Sequence, residues 1–72
     1  MTNEELAEVI AATIADEVGD RWHHGQLDED APQMRSANWG PNDANTGAPF
    51  KPNQAVFTTD DGRMVLITVG VQ

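Results

Sequence analysis

Gln54-Ala55-Val56-Phe57-Thr58-Thr59-Asp60-Asp61-Gly62-Arg63-Met64-Val65-Leu66-Ile67-Thr68-Val69-Gly70-Val71 reads as two β-strands around a tight turn. The flanks, Gln54 to Thr59 and Arg63 to Val71, are rich in Val, Ile, Phe and Thr, which suit a pleated, packed surface. Asp60 and Asp61 fit the centre of a type I turn, with Gly62 in the left-handed position of a G1 bulge. A two-residue Asp61-Gly62 turn is the alternative and shifts the register by one. Neither register puts the apolar residues on one face. Met64-Val65-Leu66-Ile67 is continuous, so Val65 and Ile67 face one way and Met64 and Leu66 the other, as do Phe57 and Val56. A strand apolar on both faces is normally covered on both.

The element available to cover one face lies at the other end of the chain. Leu6, Val9, Ile10, Thr13, Ile14 and Val18 follow a helical period over Asn3 to Val18. Thr2 is placed to N-cap this helix, Glu5 completes a capping box, and Met1 is placed to staple onto Leu6. Gly19 is the expected stop. From Val9 through Leu6, Ile10, Ile14 and Val18 to Ala11 the apolar arc is about 200° wide, more than a surface helix needs. Asp16, Glu17 and Asp20 stand where the helix dipole is negative and acids are unfavourable, with Arg21 offsetting part of this. Their plain reading is a frayed last turn; the sharper one is a cation supplied by a partner.

Between helix and hairpin, Asp20 to Asn53 shows no periodicity. It holds Pro32, Pro41, Pro49 and Pro52 with Gly25, Gly40 and Gly47, and Asn38, Asn42, Asn45 and Asn53 add turn chemistry. Trp22, Leu27, Met34, Trp39 and Phe50 are spaced along it, the pattern of an extended arm pinned at intervals to a surface. The expected fold is therefore α+β in one small domain. It comprises a helix over 1–19, an irregular arm over 20–53 and a two-stranded hairpin over 54–72.

Seventy-two residues bury only about 60% of their unfolded surface, and without cysteine there is no disulfide to compensate. A helix with too wide an apolar arc and a hairpin with two apolar faces make an incomplete core. Either the arm folds back over the second face, or that face, or the open edge of the last strand, meets another chain. The expected contact residues are Trp22, Trp39 and Phe50 in the arm with Val65, Ile67 and Val69 on the last strand.

Chemistry is not expected. His23-His24 beside Asp20 and Asp28-Glu29-Asp30 lacks metal-ligand spacing, and the acidic run lacks the central Gly of an EF-hand loop. Ser36 is the sole serine and lies in no nucleophile elbow. No Gly-rich phosphate loop exists, so neither catalytic residues, a metal nor a cofactor is expected. Twelve acids against four bases, net charge −8, repel nucleic acid and anionic membranes, so neither is an expected partner. Without a signal-peptide pattern or a span-length apolar run, the expected location is a cytoplasm, or a virion assembled there.

These features favour a non-enzymatic accessory structural subunit docked on a larger assembly, such as a decoration or cement protein of a phage particle. Two alternatives stand beside it. One is an acidic inhibitor occupying the basic nucleic-acid-binding surface of a host defence protein. The other is a homo-oligomer in which copies complete each other's sheets.

Overall fold

The computed structural model describes residues 1–42 and 50–72. In chain order they form helix α1 (Asn3–His23), strand β1 (Met34–Trp39), a 3₁₀ turn (Gly40–Asn42), and strands β2 (Gln54–Thr59) and β3 (Met64–Thr68). The strands make one antiparallel sheet in the order β1-β2-β3, with α1 laid across β1 and β2. The fold is thus α+β, with three strands where the hairpin alone predicted two. Asn45, Gly47 and Pro49, read above as turn residues, lie outside the described residues.

The helix begins as its sequence predicts. The Thr2 side chain accepts the Glu5 N–H at 3.1 Å, and the Glu5 carboxylate accepts the Thr2 N–H at 3.0 Å. The Thr2 backbone amide holds the Glu5 carboxyl below its ordinary range, helped by the Thr2 hydroxyl. The staple does not form, for Met1 is 83% exposed.

The end of the helix corrects the expectation. Gly19 does not stop it; four more residues continue to His23. The stop is a Schellman motif around Gly25, at φ +70°. The Gly25 N–H bonds the Trp22 carbonyl and the Gln26 N–H bonds the Arg21 carbonyl. Asp16 and Glu17 therefore stand inside the helix and Asp20 opens its last turn, where Arg21 and His23 supply the cations that suit the dipole. His24 Nδ1 lies 3.4 Å from the Asp20 carboxylate.

Gly19 serves instead in close packing. The buried stripe of α1 is Ala7, Ala11, Ala15 and Gly19, spaced by four and hence on one face. A Cβ at Gly19 would stand 2.7 Å from the Ala37 Cβ on β1. The helix thus approaches the sheet on its small residues. Ile14, Val18 and Trp22 flank that stripe and pack on the core of Ala15, Ala55 and Phe57, with Met34, Ala37, Trp39 and Ile67 from the sheet. Only part of the wide aliphatic arc read from the sequence is covered: Ala11, Ile14 and Val18 join the core, whereas Leu6, Val9 and Ile10 are exposed.

The largest departure is β1, set in the middle of the expected arm. Its pairing shifts between Met34↔Thr59 and Ser36↔Thr58, leaving Arg35 as an extra residue. That bulge reverses the alternation, so Met34, Ala37 and Trp39 all join the helix-side core. The two tryptophans are tied down at their polar ends. Trp22 donates its indole N–H to the Pro32 carbonyl at 2.9 Å and Trp39 donates to the Pro52 carbonyl. Trp22 also lies 5.9 Å, ring to ring, from Phe57. An arm pinned by aromatics was the right physics, but its surface is this chain's own sheet.

The hairpin takes the four-residue turn. The Gly62 N–H bonds the Thr59 carbonyl, Gly62 has φ +89°, and Thr58 pairs with Met64. The buried Thr59 hydroxyl donates to the Asp61 carboxylate and accepts the Arg63 N–H at 3.0 Å. Arg63 closes the turn with two guanidinium hydrogen bonds to the same carboxylate.

Candidate protein-docking surface

The helix rests on β1 and β2, and this placement leaves β3 uncovered. Ile67 packs on the helix-side core and Val65, by alternation, shares its face. Met64, Leu66 and Thr68 point to the opposite face. Met64 is 48% exposed, Leu66 45% and Val65 38%. Three large apolar side chains in succession thus meet solvent on both faces of one strand.

Its outer edge is equally open. The Thr59 N–H bonds the Arg63 carbonyl, and the Val69 N–H bonds the Asn53 carbonyl. These two bonds set the phase of the ladder. In an antiparallel pair, groups turned toward the neighbour alternate with groups turned away. Val65 and Ile67 therefore bond to β2, and Met64, Leu66 and Thr68 aim their N–H and C=O outward. Among the described residues, no hydrogen bond reaches those outward backbone groups. Proteins usually blunt such an edge with charge, proline or a bulge. β1, the opposite edge, carries Arg35 and its bulge; Met64–Thr68 carries none of these.

On the helix, Leu6 and Ile10 lie off the buried stripe and are exposed. A shallow groove of about 350 Å³ opens between Ala7, Pro52, Val69 and Val71.

Of the residues expected at an interface, Val65 lies on this open strand, Ile67 is at its inner margin and Val69 lines the groove. Trp22 and Trp39 pack on the chain's own core, and Phe50 is half-buried beside Gly40. The structure adds Met64 and Leu66. Their alternation was legible, but which strand the helix would miss was not.

A second groove, of about 370 Å³, lies at the C-terminal end of α1 between Trp22, His24, Leu27, Glu29 and Pro32. His23 and His24 meet edge to face at 5.3 Å. Among the described residues no group of three or more His, Cys, Asp or Glu is arranged to hold a metal ion. No helix among them is long and apolar enough to cross a membrane. No protein-family model matches the chain, and neither a curated protein nor a solved structure matches it.

Proposed function

We propose that this chain is a non-enzymatic accessory structural subunit that works by docking its uncovered third strand on protein within a larger assembly. The observation that carries the reading is β3 itself, apolar on both faces, free at its edge and without a protecting charge or proline. Strand addition gives affinity through backbone hydrogen bonds, and the flanking apolar side chains give specificity. Such a role suits a decoration or cement protein of a phage particle, and it asks for no cofactor. The test is purification of the untagged chain from its native source, with a photo-crosslinking residue at Leu66 and a control at Glu17. Co-sedimentation with a particle, and crosslinks to protein from position 66 only, are expected. A chain that sediments free and crosslinks from neither position overturns the reading.

One observation favours a second reading, an acidic antagonist of a basic, nucleic-acid-binding surface. Asp28 and Glu29 line the groove at the C-terminal end of α1 with His24, and His24 also lies beside the Asp20 carboxylate. Asp20→Lys with Asp28→Lys would then abolish binding to a basic partner, and β3 substitutions would not.

A further inference from the structure

We infer that the partner of the open β3 edge is a second copy of this chain, joined antiparallel about a two-fold axis at Leu66. The inference rests on the docking role of β3 and names its occupant.

Met64, Leu66 and Thr68 each turn one N–H and one C=O outward, and these three positions are symmetric about Leu66. Laid antiparallel on itself, the edge places Leu66 opposite Leu66 of the second copy, and Met64 opposite Thr68. All are then positions whose polar groups point at the partner, so every outward donor meets an outward acceptor and none is left over. A register moved by one residue would set Met64 and Leu66 opposite inward-bonded Val65 and Ile67, leaving outward groups unpaired.

The side chains agree with this register. Val65 and Ile67 stand opposite each other across the axis on the helix side, and Leu66 meets its own copy on the other side. Cross-strand apolar and β-branched pairs of this kind favour pairing. Charge agrees as well. Met64–Thr68 has no ionisable residue, and at one end Arg63 is already neutralised by Asp61. Among the described residues, the acids of each −8 chain lie on the helix and loops, so they oppose association only at long range. Growth stops at two copies. The other sheet edge, β1, is bulged and charged at Arg35, so the result is a closed six-stranded sheet in the order β1-β2-β3-β3-β2-β1 rather than a filament.

Sedimentation equilibrium of the purified, untagged chain over a range of concentrations and salt tests the proposal. A reversible monomer–dimer equilibrium is expected, and salt should tighten it by screening like charges; an ionic contact with a basic partner would loosen. Leu66→Pro removes only an outward N–H, leaving the bonds to β2 intact, because proline is tolerated at a sheet edge. Two bonds are lost per dimer, so the dissociation constant should rise about 30-fold. Leu66→Lys keeps the backbone but sets like charges opposite one another, and should likewise give monomers. It guards against a proline variant that fails to fold. Leu66→Cys introduces the chain's sole cysteine on the axis. It should crosslink to itself far faster than Glu17→Cys, since Cα atoms about 5.5 Å apart in such a pair suit a disulfide.

A chain monomeric at every concentration overturns the two-fold pairing, as do open-ended multimers or an association unmoved by Leu66→Lys. If such a monomer still crosslinks to a different protein from position 66 in its native source, the docking role survives and only the second copy falls. If neither association occurs, both fall.

Discussion

Strands β2 and β3 are neighbours in one sheet, and the more apolar of the two is the more exposed. β2, Gln54-Ala55-Val56-Phe57-Thr58-Thr59, includes two polar threonines and a glutamine, yet Ala55, Val56, Phe57 and Thr59 are buried. β3, Met64-Val65-Leu66-Ile67-Thr68, is apolar until its last residue, yet only Ile67 is even half-buried. The difference lies in their neighbours. β2 has a strand on each side and the helix over Ala55 and Phe57; β3 has one strand, and only Ile67 reaches the helix-side core. Burial here follows what covers a residue, and a surplus of apolar surface where nothing covers it marks a surface made for contact.

The contrast makes its strongest prediction in side-chain truncation. Phe57→Ala empties the centre of the core beside Trp22 and Ala15, and should cost about 3–5 kcal/mol in chemical denaturation, enough to unfold so small a domain. Leu66→Ala, an apolar loss of similar kind one pair away on β3, should cost monomer stability only about 1 kcal/mol, because nearly half of its surface is already in water. Equal costs at both sites would mean that β3 is covered in the free chain and would end the comparison.

The helix contact comes next. Gly19→Ala should gain up to about 1 kcal/mol of helix propensity but force its new methyl against Ala37, a rigid neighbour, at a cost of about 1–3 kcal/mol. A net loss is expected. Ala37→Gly in the same chain should return most of it, whereas Ala37→Gly alone should destabilise. If the double variant shows no recovery, α1 does not approach β1 through Gly19.

The end of the helix far from this contact offers a smaller test. Thr2→Ala removes a capping oxygen and frees Glu5 from its reciprocal bond, and should lower stability by about 1 kcal/mol. The loss should be the same whether or not β3 is paired, since the cap touches no part of that strand. A cap substitution that weakened dimerisation would instead tie the N-terminal turn to the docking surface.

How much of this was legible in the sequence depends on whether the signal was local. The capping box, the helical period and the Thr59-Asp60-Asp61-Gly62 turn are fixed by residues a few positions apart, and all three were readable. β1 was not, because the bulge at Arg35 breaks its alternation: the core positions are Met34, Ala37 and Trp39, spaced three and then two. Gly19 misled for a related reason. A glycine that ends a helix and one that admits a neighbouring strand look alike until the strand is known. Of the docking surface, the two-faced pattern of β3 was legible. That Trp22 and Trp39 pack inward, and that α1 sits over β1 rather than β3, depends on long-range contacts.

Acidity probes the turn that joins the covered strand to the open one. The Asp61 carboxyl is held far below its ordinary range, chiefly by the hydrogen bonds from Arg63 and then by the Thr59 hydroxyl. The same contact raises the Arg63 guanidinium. A carboxyl whose folded pKa is depressed contributes stability that is complete above its unfolded pKa, about 3.9, and is lost as pH falls through the folded value. The stability gap between the natural chain and Asp61→Asn should therefore be constant from neutrality down to about pH 4 and shrink below it. Subtracting the variant removes the other acids, which titrate in both. Because the turn is the covalent end of β3, its loss should be felt there before it reaches the helix-covered strands. Amides of Val65 and Ile67, which bond inward to β2, should exchange faster in Asp61→Asn than in the natural chain at pH 5, with those of Ala55 and Phe57 little changed. If all of these accelerate together, β2 and β3 open as one unit and the open strand is no weaker than the covered one.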